Sequence, residues 1–478
     1  MKNRVFKSLL AMVCLLCSTS ASAYDLEVDG IYYEIVSISD LTCKVVSGDK
    51  KYEGDIVIPK TVNYNNKTLA ITTIGFTAFR NSDLTSITIP NTISSIENNA
   101  FWDCDKLERI VIEDGKTILT LGWIAYNDGV WALFRDCPIK SLYLGRNITC
   151  TNQKGYQHDI SPFYNIETLN ELIIGDSVTE ITSNLFKGCT GLTNVEFSKS
   201  ITSIGYNAFK GCTGLTNIKI LYPISELKGS AFEGCSGLTD VTIGSSITKI
   251  NEKTFYNCTN LKNVTHYNSI TSIGESAFEN CTNLTNFVIP NTVTKIDSYA
   301  FRNCTGLTQI IIPNSVTELN NYAFYGCSGL TDLSIGNSIT KIYRNTFQNC
   351  TNFISITLGK AITNMADISE GIDFFNNCKN LKNLYLLNTT PPTLYSGSCF
   401  TTNQYMTLNV FVPEKALEAY QSADGWKDFW NLQGFNPSGI ENIKTETEKA
   451  VYYDLHGTRL NTPKRGMNII NGKKVIMK

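Results

Sequence analysis

Eight cysteines recur every 23 residues without a slip: Cys189, Cys212, Cys235, Cys258, Cys281, Cys304, Cys327 and Cys350. Each follows a phenylalanine by three positions, from Phe186 to Phe347. A unit this short cannot bury its own apolar face, so the units must stack and share one long core, each touching mainly its neighbours. On such a body, function belongs to surfaces and rims and not to an enclosed pocket.

Within the unit Leu192–Thr213, Val195 and Phe197 alternate with Asn194 and Glu196. A period of two gives a short strand with one face inward, and stacking turns these strands into a parallel sheet. Ile201 and Ile204 form a second apolar pair before Gly205, and Ala208, Phe209 and Cys212 read as one tight helical or 3₁₀ turn packed back on the sheet. The expected fold class is an α/β repeat solenoid of about 13 units, counted by phenylalanine from Phe79 to Phe375. The residue before each ruler cysteine, and the residue two after it, is always Gly or Asn. Both positions are therefore expected at positive φ, where these residue types are tolerated. An N-glycosylation reading of the Asn-Cys-Thr triplets competes with this, but the alternation with Gly assigns the choice to the backbone.

The bulk charge limits the partners. With 41 basic and 43 acidic residues the formal net charge is −2, which gives no electrostatic basis for binding nucleic acid or an anionic membrane. Residues 1–23 carry Lys2, Arg4 and Lys7, the apolar stretch Leu9–Cys17, and small residues ending at Ala23. This pattern reads as a secretory signal peptide, so the mature chain is expected to start near Tyr24, to be exported, and to hold no transmembrane segment.

The cysteine ladder is the first candidate for chemistry, as disulfides, as a metal stack, or as a column of small buried thiols. Eleven ruler cysteines (Cys104, Cys137 and Cys378 join the eight) cannot all pair, and the equivalent position tolerates Ser82 and Ile166. Parallel stacking also sets neighbouring Cβ vectors side by side, so buried free thiols are expected. His158, His266 and His456 keep no step with the ladder, and no H-E-x-x-H, G-x-S-x-G or P-loop motif occurs. Glu196, Asp240 and Asp332 sit in scattered repeats. No cofactor, metal or enzymatic activity is expected.

Two surface candidates remain. Outward strand residues are mostly small and uncharged, but Val288 and Ile311, beside Asn286 and Gln309, make a modest apolar spot on the expected concave face. It is either a contact site or β-branched packing on a sheet surface. The 33-residue interval from Phe101 to Phe134 brings Trp123, Tyr126 and Trp131, followed by Tyr156, His158 and Tyr164. Clustered aromatics suit sugar or protein recognition, or a plug over an irregular edge.

The pattern L-x-x-I-x-I-P-x-x-V/I-x-x-I-x-x-x-A-F-x-x-C, as in Leu284–Cys304 (LTNFVIPNTVTKIDSYAFRNC), resembles the BspA-like class of leucine-rich repeats over residues 56–390. Residues 24–55, with Asp25–Tyr33 (DLEVDGIYY), are similar to the lead-in of these proteins. Residues 391–436 are similar to their closing segment, and 437–478 resemble a type IX secretion sorting domain. The resemblance implies a non-enzymatic surface or secreted protein of Bacteroides-type bacteria. Its expected partner is an extracellular protein of host matrix or another bacterium, with a glycan or a structural surface-layer role as alternatives.

Overall fold

The computed structural model describes residues 24–122, 124–126, 129–131, 133–150, 161–343, 345–365, 375, 377–394 and 400–437, and four short strands after residue 450. The leader read at 1–23 lies outside them. The chain forms two compact units, 1–158 and 159–478, each a leucine-rich-repeat solenoid built mainly from parallel strands.

The first unit opens with an antiparallel meander of β1 (Leu26–Val28), β2 (Ile31–Ser37) and β3 (Thr42–Val45). Strand β3 then pairs in parallel with Lys67–Ile74, which hands the ladder on to Ser95–Ile96, Leu119–Leu121 and Ile148–Cys150. On the other side, β4 (Glu53–Val57), β5 (Asp83–Ile89), β6 (Arg109–Ile112) and β7 (Ser141–Leu144) form a parallel sheet. Tyr32 and Tyr52 continue the aromatic column beyond Phe79, with centroids 5.7 Å apart and then 4.6 Å from Tyr52 to Phe79.

In the second unit, β8 (Asn217–Ile220), β9 (Asp240–Ile243) and β10 (Asn263–His266) pair in parallel at offsets of 23 residues. A six-stranded parallel sheet follows: β11 (Gln309–Ile312), β12 (Asp332–Ile335), β13 (Ser355–Leu358), β14 (Asn383–Leu386), β15 (Asn409–Pro413) and β16 (Asn431–Phe435). The Ile201 and Ile204 pair of each repeat also makes a ladder of its own, through two-residue strands such as Ser203–Ile204 and Glu226–Leu227. Two residues are too few to register as alternation, so the sequence does not announce this second sheet.

The turn that carries Ala208, Phe209 and Cys212 is neither α nor 3₁₀. Alternate amides point to the next repeat: Asn184 N–H donates to Tyr206 O at 2.8 Å, Phe186 N–H to Ala208 O at 2.9 Å, and Gly188 N–H to Lys210 O at 2.7 Å, while those between close turns within the repeat, as from Lys187 N–H to Asn184 O at 3.1 Å. A left-handed residue two before each phenylalanine makes this possible, Asn184, Asn207, Ser230, Lys253, Ser276, Tyr299, Tyr322 and Asn345, with φ between 52° and 62°. Because Lys, Ser and Tyr occupy it alongside Asn, composition does not reveal the position. The residue before each ruler cysteine is at positive φ as expected, for example Gly188 and Asn257. The one two after it is not. At the glycines of that position a Cβ would be crowded, lying 2.4 Å on Gly214 or 2.1 Å on Gly237 from a carbonyl oxygen of the preceding repeat, whereas Asn260, Asn283 and Asn352 fill it in other repeats.

The core is a column of phenylalanines, stacked at 5.6 Å from Phe186 to Phe209, 5.5 Å on to Phe232 and 5.2 Å from Phe301 to Phe324. The long strands lapse in two repeats, at 194–197 and 286–289, where only single bridges survive. Both repeats place an aromatic at an inward position, Phe197 where the next repeats carry Ile220 and Ile243 and Phe287 where its neighbours carry Val264 and Ile310, and Phe287 packs against both Phe278 and Phe301 at 5.0 and 5.1 Å.

At the end of the repeats, α1 (Thr402–Thr407) starts with a capping box between Thr401 and Gln404. Strands β15 and β16 extend the sheet, and α2 (Leu417–Ser422) packs Tyr420 inward. Trp426 is fully buried and donates from Nε1 to Pro392 O at 2.8 Å. The chain ends in an antiparallel set formed by Tyr452–Tyr453, Arg459–Leu460, Gly466–Ile470 and Lys473–Met477.

Candidate binding surface

Alternation along each long strand sends every second residue outward. Among the residues singled out from the sequence, Val288 is 71% exposed and Ile311 47% exposed, with Asn286 and Gln309 also at the surface. Gln309 and Ile311 project from β11. Asn286 and Val288 stand in the preceding repeat, where the backbone ladder to β10 is reduced to the single Asn263 to Asn286 bridge. The apolar spot therefore exists, and it lies over the lapse in the sheet.

His266 accounts for part of that lapse. It pairs with Ile243 in register and is buried at an inward position. Its Nε2 lies 2.6 Å from Val288 O, so the ring N–H donates to a carbonyl that is thereby diverted from the sheet. Nδ1 is buried with no partner among the described residues. Burial holds the imidazole pKa below its usual value, opposed by the bond to Val288.

Trp123 lies outside the described residues, as do Tyr156 and His158. Tyr126 and Trp131 fall on the two strands of an antiparallel hairpin, Ile124–Tyr126 and Gly129–Trp131, whose register pairs Tyr126 with Gly129 and Ile124 with Trp131. Their side chains lie outside the described residues. On the turn side, Arg302 pairs with Glu279 at 3.1 Å and lies over Tyr299 and Tyr325 at about 5.5 and 5.4 Å, so that cluster satisfies its own charges.

The ruler cysteines are buried free thiols. They are not purely apolar fillers, because each donates to the carbonyl of the phenylalanine one repeat earlier. Cys212 Sγ lies 3.1 Å from Phe186 O, Cys281 Sγ 3.1 Å from Phe255 O, and Cys350 Sγ 3.2 Å from Phe324 O. Burial pushes the thiols of Cys189, Cys327 and Cys378 up to about 12. Such thiols stay protonated and are poor nucleophiles. Among the described residues no group of three or more His, Cys, Asp or Glu could hold a metal ion.

One outward cluster escaped the sequence reading. In β14 and β15 the outward residues are Tyr385 and Phe411, which stack with centroids 4.6 Å apart and planes 11° from parallel. Phe435 of β16 meets Tyr385 edge-on at 5.6 Å. The signal was present in Asn383–Leu386 and Asn409–Val412, which keep the alternation and put a ring at an outward place.

A family model described as BspA type Leucine rich repeat region matches residues 60–128, 159–285 and 271–407, in six copies. Among solved structures, the chain is similar to a leucine-rich repeat protein from Bacteroides ovatus, 27% identical, over 65% of this chain and 94% of that one, with a TM-score of 0.33. It is also similar to a leucine rich cell surface protein from Faecalibacterium prausnitzii, 20% identical over 86% and 98%, TM-score 0.40. The pneumococcal vaccine antigen PcpA is 15% identical over 86% and 97%, TM-score 0.40. No curated protein matches the chain. With the matched residues covering well over half its length, and with their repeats laid out as above, this chain belongs to the BspA-type leucine-rich-repeat family.

Proposed function

We propose that this is an exported, non-enzymatic binding protein that takes an extracellular protein partner on its outward sheet face, in the manner of an adhesin. The observation that carries the reading is the exposed pair Val288 and Ile311 in neighbouring repeats, set in a face whose other outward residues are mostly small and uncharged. Solvent-facing aliphatics of this kind cost solubility unless something covers them. One repeat offers only two or three outward strand residues, and a specific interface needs about 800 Å² from each partner. The partner therefore spans several repeats, with Asn286 and Gln309 beside the apolar pair.

Residues 24–55 act in this reading as the N-terminal cap, 391–436 as the C-terminal cap, and 437–478 as the export-related tail. No helix among the described residues is long and apolar enough to cross a membrane. Processing near Tyr24 is checked by mass spectrometry of the N-terminus of protein recovered outside the cell.

The binding test uses immobilised extracellular-matrix proteins and surface plasmon resonance. Combined substitution of Asn286, Val288, Gln309 and Ile311 by Ser is expected to weaken capture at least tenfold, about 1.4 kcal/mol. Substitution of Lys295 and Lys341, which stand away from that face, is expected to leave it unchanged. Equal capture by both sets removes this face as the site.

A further inference from the structure

His266 is the titratable member of an otherwise aliphatic row. Register sets it in line with Ile220 and Ile243, and the 23-residue interval carries the row on through Ile289, Ile312 and Ile335. It is 8% exposed, with the Phe287 ring 5.7 Å away. Its contact is with the backbone beneath the apolar face: Nε2 lies 2.6 Å from the carbonyl oxygen of Val288, whose side chain stands 71% exposed in the repeat before Ile311. Between β9 and β10 four residue pairs hold neighbouring strands together, but from β10 onward the ladder is reduced to the Asn263 to Asn286 bridge. The imidazole thus supplies an attachment where the sheet has thinned.

That attachment depends on one proton. A neutral imidazole carries a single N–H, here on Nε2 and donating to Val288 O, while Nδ1 is buried with no hydrogen-bond partner among the described residues. A second proton would put an N–H and a positive charge on Nδ1, where nothing accepts the one or offsets the other. Among the titratable groups around it, Asp240 of β9 projects outward and is held by Asn263 and Thr239. Residues 286–289 contain none, and Tyr267, next in the chain, is a buried phenol. Burial accordingly holds the imidazole below its usual pKa, opposed by the bond to Val288 and by no charged group. Once protonated, the ring gains by turning to water, which takes Nε2 away from Val288 O. We infer that His266 is an acid-released latch: neutral, it ties residues 286–289 down and keeps Val288 in line with Ile311, and protonated, it lets that segment go. The segment is held above about pH 6.5 and is freed as pH falls from there through the folded pKa. The consequence for capture of a partner rests on the function proposed above; the latch itself does not.

Amide hydrogen exchange of the full chain is followed by mass spectrometry from about pH 7.5 to about pH 4.5, with the intrinsic pH dependence removed. Exchange across 286–289 is expected to quicken about fivefold or more, while that of β12 stays level. The double variant His158→Gln, His456→Gln leaves His266 as the only histidine and is expected to respond as the parent does. His266→Gln keeps an N–H donor for Val288 O but has no proton to gain, and its exchange is expected to be flat over the same range. Capture by immobilised matrix protein, read on the same samples, is expected to weaken about fivefold in the parent and the double variant and to hold in His266→Gln. Exchange across 286–289 that ignores pH in the parent overturns the latch, as does a response that survives in His266→Gln or vanishes in the double variant. A parent that responds in exchange and not in capture supports the latch and removes this face as the docking site.

Discussion

The Phe255 carbonyl accepts twice, from Cys258 N–H at 3.2 Å and from Cys281 Sγ at 3.1 Å in the following repeat. A carbonyl has two lone pairs, and the ruler cysteine supplies the second donor where no water reaches. Cys281→Ala is therefore expected to lower stability by about 1–2 kcal/mol, read as a lower urea midpoint at constant slope. Because burial raises these pKa values, iodoacetamide at pH 8 is expected to leave the ladder unlabelled in the native protein and to label it after unfolding without reductant. A histidine at the wrong place in the same core behaves differently. With its pKa held below 6.5 by burial, folded His266 binds fewer protons than the unfolded chain. Its neutral form is fully favourable above about pH 6.5, and stability is lost as pH falls from there toward the folded pKa. His266→Ile is expected to flatten that part of the acid limb in a pH series of melting curves.

At the scale of the element, Phe278 is fully buried, with Phe255, Phe301 and Phe287 at 5.5, 5.3 and 5.0 Å. Phe278→Ala is expected to cost about 3–5 kcal/mol, measured by chemical denaturation. The lapse at 286–289 gives a sharper test of what the inward residue does. Combining Phe287→Val with His266→Ile returns the inward positions to aliphatic side chains, and slower amide exchange across 286–289 is expected from a restored strand. These elements differ in how readable they were. The long strands and phenylalanine column declare themselves through alternation and, from Phe186 to Phe347, through a constant spacing of 23 residues. The second ladder and the left-handed turn residue do not, because a two-residue strand has no period and because Lys253, Ser276 and Tyr322 hold a conformation that composition associates with Gly or Asn. The outward aromatic pair was legible in principle, since Tyr385 and Phe411 keep the alternation of their strands.

At the scale of the whole chain, the ends of each repeat run must be closed. We propose that Tyr52 beside Phe79 does so in the first unit, and Trp426 with Phe400, Tyr420 and Phe429 in the second. Trp430, by contrast, is 74% exposed and takes no part in that seal. Deleting residues 391–435 bares the edge of β14 and the core beneath it, and aggregation is expected by light scattering, whereas Trp430→Ala is expected to leave solubility unchanged.

Alternate turn amides join each repeat only to its neighbour, as do the thiol bonds, the ring stacks and both strand ladders. Under tension this makes the array a spool. Force applied through the chain ends of residues 186–347 meets one interface at a time, and each that gives way frees a single 23-residue turn, roughly 75 Å of slack at about 3.3 Å per residue. Stretched between two beads, the array would lengthen in equal steps of that size and wind back as the load falls, yielding turn by turn where a rigid strut would snap.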